Sequence, residues 1–524
     1  MSTPDEVASA ESVQMDAQVR EAIRTLGALL GELRNRQSEI REREEYYEGA
    51  RGKLVFASEE FAKYFAERYT NFSDNWCGVV ADAPTERLEV TGFRLGDGQG
   101  GRGEVDRETW RVWRDNDADY YSDQAFLEAI INGRAYVLVW GDDNNPDTPV
   151  ITWEHPGQAI VAYDPETRER RAGAKWWVDE WTGEEFATLY TPEYVYKFRR
   201  PRVPSGLVVP DNADSSNSVD DVPDGLVRLS NVRRSSSNID ERWWVPREVP
   251  GEPWPLPNPL GRVPLVEIRN RPRLLRPPMS DIAGVIAMQN AINLFWAYLL
   301  NAADYASFPQ RVVMRAEYPK RPVLDDDGQV VGEEDIPLEK FAVDRVAWIT
   351  DPNAQIGEWS AACLDIYTNV IETCVSHVAA QTRTPPHYLM TKIVNANAET
   401  LKTAETGLVK RTEEKTKSFG RDLRDMSVLV ALAQNDERRA RLLASGSTLW
   451  RDVEIRSEAQ AVDAAQKYRA IGYPLEWISR RIGMDPEEIA EVLEMRRREL
   501  EMDPIGQMSE AVGRMQAIEP IATE

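Results

Sequence analysis

Residues 282–303 of this chain have the sequence IAGVIAMQNAINLFWAYLLNAA. It lies between Asp281 and Asp304 and holds no charged residue, although 29% of the chain's residues are charged. Its length is that of a membrane span. The polar amides that interrupt it are Gln289, Asn290, Asn293 and Asn301. Because each amide is costly in hydrocarbon, the stretch predicts a buried helix of a packed oligomer, with a membrane-spanning helix over 282–303 as the alternative.

The apolar residues of this helix form a wide stripe on one side, and the amides fall mostly elsewhere. The stripe consists of Ile282, Val285, Ile286, Ile292, Phe295, Trp296, Leu299 and Leu300. An acidic, strand-like segment follows over about 308–358, and a second apolar helix then starts near Ser360 and stops at Arg383-Thr384-Pro385-Pro386. The functional interpretation depends on this order of helix, strands and helix.

A long polar helix is predicted over about 397–435. Its first half interleaves basic and acidic side chains, and the basic ones are Lys402, Lys410, Arg411, Lys415 and Lys417. Two interpretations stay open. The helix is solvent-exposed and carries ion pairs between residues one turn apart, or it faces a wet channel.

The bulk composition bounds the class of protein. With 524 residues the chain should hold more than one core. The formal net charge of -25 argues against tight electrostatic binding of nucleic acid, but it leaves room for a protein past which DNA slides. Three cysteines make no disulfide framework, and the N-terminus has no signal-peptide pattern, so folding in a cytoplasm is expected.

The N-terminal half has the pattern of a mixed α+β domain. Residues 1–15 are predicted to be disordered, and helical periodicity starts at about Asp16. Segments with the pattern of strands are 86–93, 133–140, 150–154, 159–163, 172–181 and 263–268, and residues 185–200 have the pattern of a hairpin. Residues 201–262, rich in Pro, Ser, Asn and Asp, predict a long exposed insertion. Near the C-terminus, Leu449–Arg456 predicts a returning strand, and two or three helices follow over 457–500.

Motifs that carry chemistry are missing from the sequence. It contains no GxxxxGK[ST], GxSxG, HExxH or CxxC, and its three histidines lie far apart. The glycine-rich residues 96–104 lack the surrounding strand-turn-helix of a dinucleotide site, and the acidic clusters 325–327 and 333–335 fit a solvated hairpin turn. We therefore predict no catalytic residue, no metal site and no cofactor. An enzyme of unknown chemistry is the second alternative.

Several segments, in their order along the chain, resemble the portal proteins of tailed double-stranded DNA phages, in the branch found in siphophages of Gram-positive hosts. The resemblance covers roughly residues 20 to 500. It is carried by segments such as Tyr46-Tyr47-Glu48-Gly49, Asn75-Trp76-Cys77, Gly133-Arg134-Ala135-Tyr136-Val137, Tyr163-Asp164-Pro165, Ser280-Asp281-Ile282 and Arg456-Ser457-Glu458-Ala459.

The resemblance implies an α+β portal architecture. It has an α+β wing, a two-helix stem, a small α/β clip, a long channel helix and an α-helical crown. The implied boundaries are wing 16–279 with the 201–262 insertion, first stem helix 280–306, clip 307–358, second stem helix 359–385, tunnel loop 386–397, channel helix and return strand to the wing 398–456, and crown with C-terminal tail 457–524.

The resemblance also implies a function. The chain would form a ring, typically of twelve subunits, at one capsid vertex of the virion, through which double-stranded DNA is packaged and ejected. It would nucleate head assembly in the host bacterial cytoplasm, dock the terminase large subunit and then head-tail adaptor proteins, and contact the major capsid and scaffolding proteins, with no membrane involved. It would not be an enzyme.

Two sets of residues follow from this comparison. The tunnel loop and the start of the channel helix would face DNA through Lys392, Asn395, Asn397 and Lys402. The first stem helix would pack on neighbouring subunits through Ile282, Val285, Ile286, Ile292, Phe295, Trp296 and Leu299.

Overall fold

The computed structural model of the chain describes most of its residues. The described residues are 4–49, 54–69, 72, 74–97, 102–200, 244–307, 311–314, 320–324, 329–335, 355–358, 363–389, 398–454, 458–484 and 486–502.

The helices of the described residues are α1 (Pro4–Tyr47), α2 (Glu59–Arg68), α3 (Trp76–Thr85), α4 (Arg107–Asp115), α5 (Ala118–Asn132), α6 (Ile286–Ser307), α7 (Leu364–Thr382), α8 (Pro386–Leu389), α9 (Ala398–Ala433), α10 (Glu437–Ala444), α11 (Glu458–Ala470), α12 (Leu475–Arg481) and α13 (Pro486–Met502).

The strands are β1 (Val90–Gly96), β2 (Arg102–Val105), β3 (Arg134–Trp140), β4 (Val150–Glu154), β5 (Ala159–Tyr163), β6 (Arg170–Val178), β7 (Glu185–Tyr190), β8 (Tyr194–Arg200), β9 (Val245–Pro246), β10 (Leu256–Pro257), β11 (Leu265–Arg269), β12 (Arg311–Met314), β13 (Lys320–Leu324), β14 (Val330–Asp335), β15 (Gln355–Glu358) and β16 (Ser447–Trp450).

The chain divides into two compact units, and the α+β class predicted from the sequence is confirmed. Unit 1 comprises residues 1–51, 75–286 and 378–524, and unit 2 comprises residues 52–74 and 287–377. Among the described residues, unit 1 holds three antiparallel sheets, with strand orders β16-β1-β2, β11-β3-β4 and β10-β8-β7-β6-β5, and β9 pairs with β8.

The largest core of unit 1 lies between α1 and the six-stranded sheet. One face of α1 presents apolar side chains at helical spacing, including Leu26 and Leu33, which are fully buried. They meet the inward side chains of the sheet, where Ala174 pairs with Leu189 and Ala187 pairs with Phe198. Alternation along each strand therefore sends its small and aromatic residues to the face that α1 covers.

Helix α1 corrects the expectation of disorder over residues 1–15. The helix begins at Pro4, so residues 4–15 are helical, and residues 1–3 lie outside the described part. The segment DEVASAESVQ consists largely of Ala, Glu, Gln, Ser and Val. Low hydrophobicity suggested disorder, but the Ala and Glu residues favour the continuation of a helix whose later turns are packed.

The predicted insertion over 201–262 is also corrected in part. Residues 201–243 lie outside the described residues, whereas residues 244–262 belong to the six-stranded sheet through β9 and β10. Trp244 is buried in the α1 core, and the Trp254 indole donates to the Lys197 carbonyl at 2.9 Å. Asn258 donates its amide to the carbonyls of Thr191 and Arg262 at 2.7 and 2.8 Å. The surrounding prolines led to the prediction of an exposed insertion, so these contacts were not predicted.

The returning strand is present, shorter and earlier than predicted over Leu449–Arg456. Strand β16 spans Ser447–Trp450 and pairs antiparallel with β1. Helix α10, which the sequence analysis did not separate, lies between α9 and this strand. The three helices near the C-terminus separate at Gly472 and Gly483, whose positive φ angles of 89° and 97° suit glycine.

In unit 2, α6 corresponds to the first predicted stem helix and most of α7 to the second. The described part of the predicted clip holds two antiparallel strand pairs, β12 with β15 and β13 with β14. The helical component of the predicted α/β clip has no counterpart in that described part, and residues 336–354 lie outside it. The division into wing, stem, clip and crown stays a prediction.

Candidate functional site

Of the four residues predicted to face DNA, one belongs to the described part of the chain. Lys392, Asn395 and Asn397 lie outside the described residues, and Lys402 lies in α9. The described start of the predicted tunnel loop is the short helix α8. There the Tyr388 hydroxyl accepts a hydrogen bond from Arg87 at 3.0 Å. The DNA-facing role of the four residues stays a prediction.

The apolar stripe of the first predicted stem helix is largely covered by its own chain. Ile282, Val285 and Ile292 have exposures of 0%, 2% and 0%, and Leu299 has 9%. Side chains covered within the subunit leave little surface for a neighbour, and the subunit-packing role of the seven residues stays a prediction. The remaining three predicted packing residues, Ile286, Phe295 and Trp296, are half-buried.

The helix also starts later than predicted. Ile282 and Val285 precede α6 in a turn, and the Ser280 hydroxyl accepts the N–H groups of Ile282 and Ala283 at 3.2 and 3.1 Å. The Val285 N–H bonds the Ile282 carbonyl at 2.9 Å. The apolar residues of this capped turn continue the spacing of those in α6, so the sequence pattern predicted one longer helix.

The amides of α6 lie on a buried side, contrary to the prediction that they avoid the packed stripe. Gln289, Asn290 and Asn293 are all buried. The Gln289 amide donates to the Asn293 side chain at 3.1 Å and to the Asp74 carbonyl, and the Trp296 indole donates to the Asp74 carboxylate at 2.7 Å. Hydrogen bonds offset the cost of burying these polar groups.

The long helix α9 carries charges on a buried face. Arg411, Lys415 and Asp422 are 7%, 3% and 1% exposed and follow one another at helical spacing. They share that face with apolar neighbours such as Phe419, which is 0% exposed. Neither interpretation from the sequence, a solvated helix or a helix facing a wet channel, holds for Arg411 and Lys415. The exposed pair Lys410 and Glu413, 2.7 Å apart, lies elsewhere on the helix.

The Arg411 guanidinium uses all five of its N–H donors. Nε and Nη2 donate to the Asp281 carboxylate at 3.0 and 2.6 Å. Nη1 donates to the Thr382 carbonyl at 2.9 Å and to the Thr384 hydroxyl at 3.4 Å, and Nη2 also donates to the Val80 carbonyl at 3.0 Å. A buried cation needs such complete pairing, because an unpaired one is very costly.

Two of these acceptors are carbonyls that their own helices leave unsatisfied. Pro84 lies inside α3 and has no N–H to bond the Val80 carbonyl one turn earlier. Thr382 ends α7, where Arg383 takes a positive φ of 56° and Thr384 bonds back to Ala379 at 3.1 Å. Carbonyls at a helix end lack intrahelical donors, so Arg411 supplies the missing donors.

Asp281 pairs with two buried cations, Arg411 and Lys415, and the exposed Arg271 lies 3.8 Å from its carboxylate. Lys415 Nζ lies 2.6 Å from the Asp281 carboxylate and 2.6 Å from the Asn270 side-chain oxygen, and the Asn270 amide donates to Asp281 at 3.0 Å. Burial raises the pKa of Asp281, but Lys415 and Arg411 outweigh burial and hold that pKa well below its usual range. Burial and the nearby Arg411 lower the pKa of Lys415 to about 8, against the attraction of Asp281. We call Asp281, Arg411, Lys415 and Asn270 the ionic node.

A second polar contact holds α9 to β11 further along the helix. The Asp422 carboxylate accepts the backbone N–H of Arg269 at 2.9 Å and pairs with its guanidinium. Ser418 donates to the Arg269 carbonyl at 2.5 Å. The buried face of α9 therefore binds the end of β11 by hydrogen bonds to its backbone as well as by apolar contact.

A separate cluster joins α1 to α5. His155 Nε2 lies 2.8 Å from Glu44 and 3.4 Å from Glu128, and the Asn132 amide donates to both carboxylates at 3.3 and 2.9 Å. His155 Nδ1 accepts the Gly157 N–H at 3.1 Å, so the neutral ring carries its proton on Nε2. The three potential metal ligands, Glu44, Glu128 and His155, are therefore already linked by the contacts of the His155 and Asn132 side chains with the two carboxylates.

The arrangement can be compared with known families. Residues 28–501 match the family model described as "Phage portal protein, SPP1 Gp6-like". The chain belongs to this phage portal protein family.

Two curated relatives agree. The portal protein of Mycobacterium phage D29 is 27% identical over 438 residues, which cover 80% of this chain and 77% of that protein. The portal protein of Mycobacterium phage L5 is 26% identical over 406 residues, which cover 74% of this chain and 71% of that protein. The resemblance to portal proteins of siphophages of Gram-positive hosts is confirmed.

Solved structures are more distant. A chain in the virion of a native gene transfer agent particle has 9% identity and a TM-score of 0.39, with 82% of this chain and 89% of that chain covered. A chain in the neck of the native particle, computed with C12 symmetry, has 10% identity and a TM-score of 0.41, with 82% and 95% covered. The family assignment therefore rests on the sequence matches.

The membrane alternative over 282–303 is not favoured for this portal protein. Those residues are described, and no described helix has both the length and the apolar character needed to cross a membrane. The lack of charge in the stretch agrees instead with burial against protein, since Ile282 and Ile292 are fully buried.

The ionic node of the portal protein was not predicted from the sequence. A signal was available, because Arg411, Lys415 and Asp422 fall on the helix face that also holds Leu408 and Phe419. Charges at apolar spacing indicate buried pairing. The partner Asp281 lies 130 residues from Arg411 along the chain, and no local pattern identifies it.

Proposed function

We propose that this chain forms a ring of twelve subunits at one capsid vertex, and that double-stranded DNA enters and leaves the head through its central channel. The observation that carries this proposal is the family match over residues 28–501, which spans both units. The role is structural: the chain provides the channel, and a separate terminase drives the DNA. Its place is the virion, after assembly in the host bacterial cytoplasm.

The order of elements in unit 2 supports a stem and a clip. Helix α6, the strands β12–β15 and helix α7 follow one another. Helix α6 carries no charge before Asp304, and its half-buried Phe295 and Trp296 keep surface for a neighbouring stem helix. We assign the subunit contact to these two residues and Ile286 rather than to the four residues covered by their own chain.

The hairpin β13–β14 supports contacts between subunits in the clip. Val323, Val330 and Val331 are 44%, 63% and 68% exposed on an isolated two-stranded sheet. Such a pair is marginally stable alone, and its edges can take up a strand from another chain. In the ring the clip would then bind the terminase large subunit during packaging and the head-tail adaptors afterwards. The wing would contact the major capsid and scaffolding proteins.

The net charge of -25 suits a channel that DNA must traverse. A basic lining would hold phosphates and slow translocation, whereas an acidic one repels them weakly. Lys392, Asn395, Asn397 and Lys402 would face DNA at the narrowest point, where few cations allow only transient contacts.

Electron microscopy of the purified full-length chain tests the ring. We expect views along one axis with a central hole and twelve-fold symmetry, and a particle mass twelve times 59.5 kDa. A monomer with no hole would refute the proposal. The purified ring should not hydrolyse ATP by itself, and sustained hydrolysis without terminase would contradict a purely structural role.

Packaging assays test the DNA-facing residues. Phage heads carrying Lys392→Ala together with Lys402→Ala should assemble normally but retain less DNA than wild type. Lys467→Ala, on exposed α11, serves as the matched control because its side chain is 72% exposed and paired with Asp463. Equal DNA content in both variants would argue against a role for the two lysines.

A further inference from the structure

The tip of the β6–β7 hairpin presents an isolated tryptophan. Trp181 is 98% exposed, more than any other large apolar residue that the structure describes. The sequence pattern placed it in a strand over 172–181, but β6 ends at Val178, and Trp181 lies in the turn. We call residues 179–184 the tryptophan knob. Tryptophan is the side chain most enriched in binding hot spots, so full exposure at a turn points to a partner.

Hydrogen bonds fix the knob. The Asp179 N–H donates to the Glu184 carbonyl at 2.9 Å, and the Gly183 N–H donates to the Asp179 carbonyl at 2.7 Å. The Asp179 carboxylate accepts the Trp181 N–H at 2.9 Å, and Gly183 has a φ of 69°. A turn held in this way loses little conformational entropy when it binds, so it is preorganised as an anchor.

The knob is also acidic. Asp179, Glu180 and Glu184 surround Trp181 and give its rim a negative charge. A complementary surface would be a recess with an apolar floor and a positive rim.

Such a recess exists on the same chain. A groove of about 680 Å³ lies between the N-terminal part of α1 and the start of β6. Its rim carries Arg20, Arg24 and Arg171, with Glu21 as a single acid, and Leu29 and Ala172 lie in its floor. We call it the arginine groove. Its volume falls within the range of pockets that bind compact side chains or ligands.

One chain cannot place its own knob in its own groove. Arg171 stands near the start of β6 and Trp181 lies beyond its end, ten residues away along an extended strand. At roughly 3.3 Å per residue the two lie on the order of 30 Å apart. We propose that the tryptophan knob of one subunit binds the arginine groove of the neighbouring subunit. The proposal rests on the ring proposed above.

The contact has the symmetry that a ring requires. Knob and groove are different surfaces of one chain, so each copy offers both and joins two neighbours head to tail. Contacts of this kind repeat from subunit to subunit, and the ring closes when the rotation between neighbours divides a full turn evenly. Charge pairing across the rim, here Glu180 with Arg24, would set which part of the groove the knob enters.

Cross-linking in the purified full-length assembly tests the contact. Thr182→Cys, which leaves Trp181 in place, and Ala28→Cys are combined in a Cys363→Ser background, because Cys363 is exposed. Mild oxidation should give a ladder of covalent oligomers on a non-reducing gel, and each single substitution should give none. A band that retains monomer mass, or no ladder from assemblies whose rings are visible by microscopy, would overturn the knob-and-groove contact alone. Absence of rings in the wild type would instead defeat the proposed function.

A charge exchange gives an independent test. Trp181→Ala should raise the subunit concentration at which rings half-dissociate by about tenfold or more, as expected for an anchoring residue. Glu180→Arg and Arg24→Glu should each raise it, and their combination should restore it. Glu180→Arg combined with Arg441→Glu, whose arginine is 79% exposed elsewhere, should restore nothing. If Arg24→Glu weakens the ring while Trp181→Ala does not, the groove binds something other than the knob and the inference is wrong.

Discussion

Replacement of Arg411 by lysine separates charge from geometry at the ionic node. Arg411→Lys keeps a positive charge beside Asp281 but replaces a planar fork of five donors by an ammonium with three. The carbonyls of Val80 and Thr382, now bonded at 3.0 and 2.9 Å, would lose their donor. We therefore expect a large effect from a substitution that preserves the charge.

The magnitude follows from the two abandoned carbonyls. Each buried acceptor left unsatisfied costs about 1–3 kcal/mol, and the ion pair with Asp281 is retained. Together they predict a loss of about 2–6 kcal/mol in the free energy of local opening. At roughly 1.4 kcal/mol per factor of ten, amide exchange around the node should accelerate by about 30-fold at least and by about 20,000-fold at most.

Hydrogen exchange measured by mass spectrometry on the middle of α9 reports this opening without assuming two-state unfolding of a chain with two units. Arg441→Lys is the matched control, because Arg441 is exposed and pairs only at the surface with Glu437. Exchange in α9 within about threefold of the control would refute the reasoning that the guanidinium geometry, rather than its charge, holds the node.

A second substitution identifies the acceptor responsible. Pro84→Ala supplies an N–H one turn after Val80, so the helix can satisfy that carbonyl by itself. Alone it should change little, because Arg411 already bonds Val80. In the Arg411→Lys background it should recover about 1 kcal/mol, or roughly fivefold in exchange. Purely additive effects of the two substitutions would show that the Val80 carbonyl is not the acceptor that matters.

Three further predictions follow. Asp281→Asn should speed amide exchange in α9 more than Lys415→Met does. The asparagine leaves two buried cations without a counter-charge, at about 3–5 kcal/mol, whereas loss of Lys415 leaves Asp281 paired with Arg411. Faster exchange in Lys415→Met than in Asp281→Asn would contradict this reasoning. Glu128 and Glu44 outweigh burial and raise the pKa of His155 above its ordinary 6.5. The contribution of His155 to stability is therefore fully present below pH 6.5 and is lost as pH rises through the folded-state pKa. Proton NMR should show that Glu44→Gln lowers this pKa, with the His155 signal identified among the three histidines by His155→Gln. Trp296→Phe removes a 2.7 Å hydrogen bond to a carboxylate and should destabilise α6 by about 1.5–3 kcal/mol, measured by exchange of its amides against the half-buried control Phe295→Leu.

Local patterns in the sequence were sufficient for many elements. Strands β3, β4 and β5 lie where alternation predicted them, and α11, α12 and α13 lie where two or three helices were predicted, separated at glycines of positive φ. These features depend on side-chain period and backbone conformation over a few residues, which a single sequence displays directly.

The ionic node could not be predicted in the same way. Lys415 and Asn270 are 145 residues apart along the chain, and their 2.6 Å contact exists only once α9 lies on the end of β11. Both interpretations left open for the charges of α9, a solvent-exposed helix and a helix facing a wet channel, placed them in water, because exposed charges are the usual case. Likewise, Ile282 and Val285 continue the apolar run of α6, although Ser280 caps a separate turn that holds them in the core.

The backbone around the node explains why a cation is buried there. Arg411 contacts Val80, Asp281 and Thr382, which all belong to unit 1.

An apolar side chain of similar size could fill the volume of Arg411, and such replacements of buried ion pairs are often tolerated. It could not donate to a carbonyl orphaned by Pro84 or to one at the end of α7. The two carbonyls therefore require side-chain donors, the donors bring a positive charge, and Asp281 is needed to neutralise it. Lys415 adds a second cation that Asn270 and Asp281 share, which fixes the carboxylate from the other side.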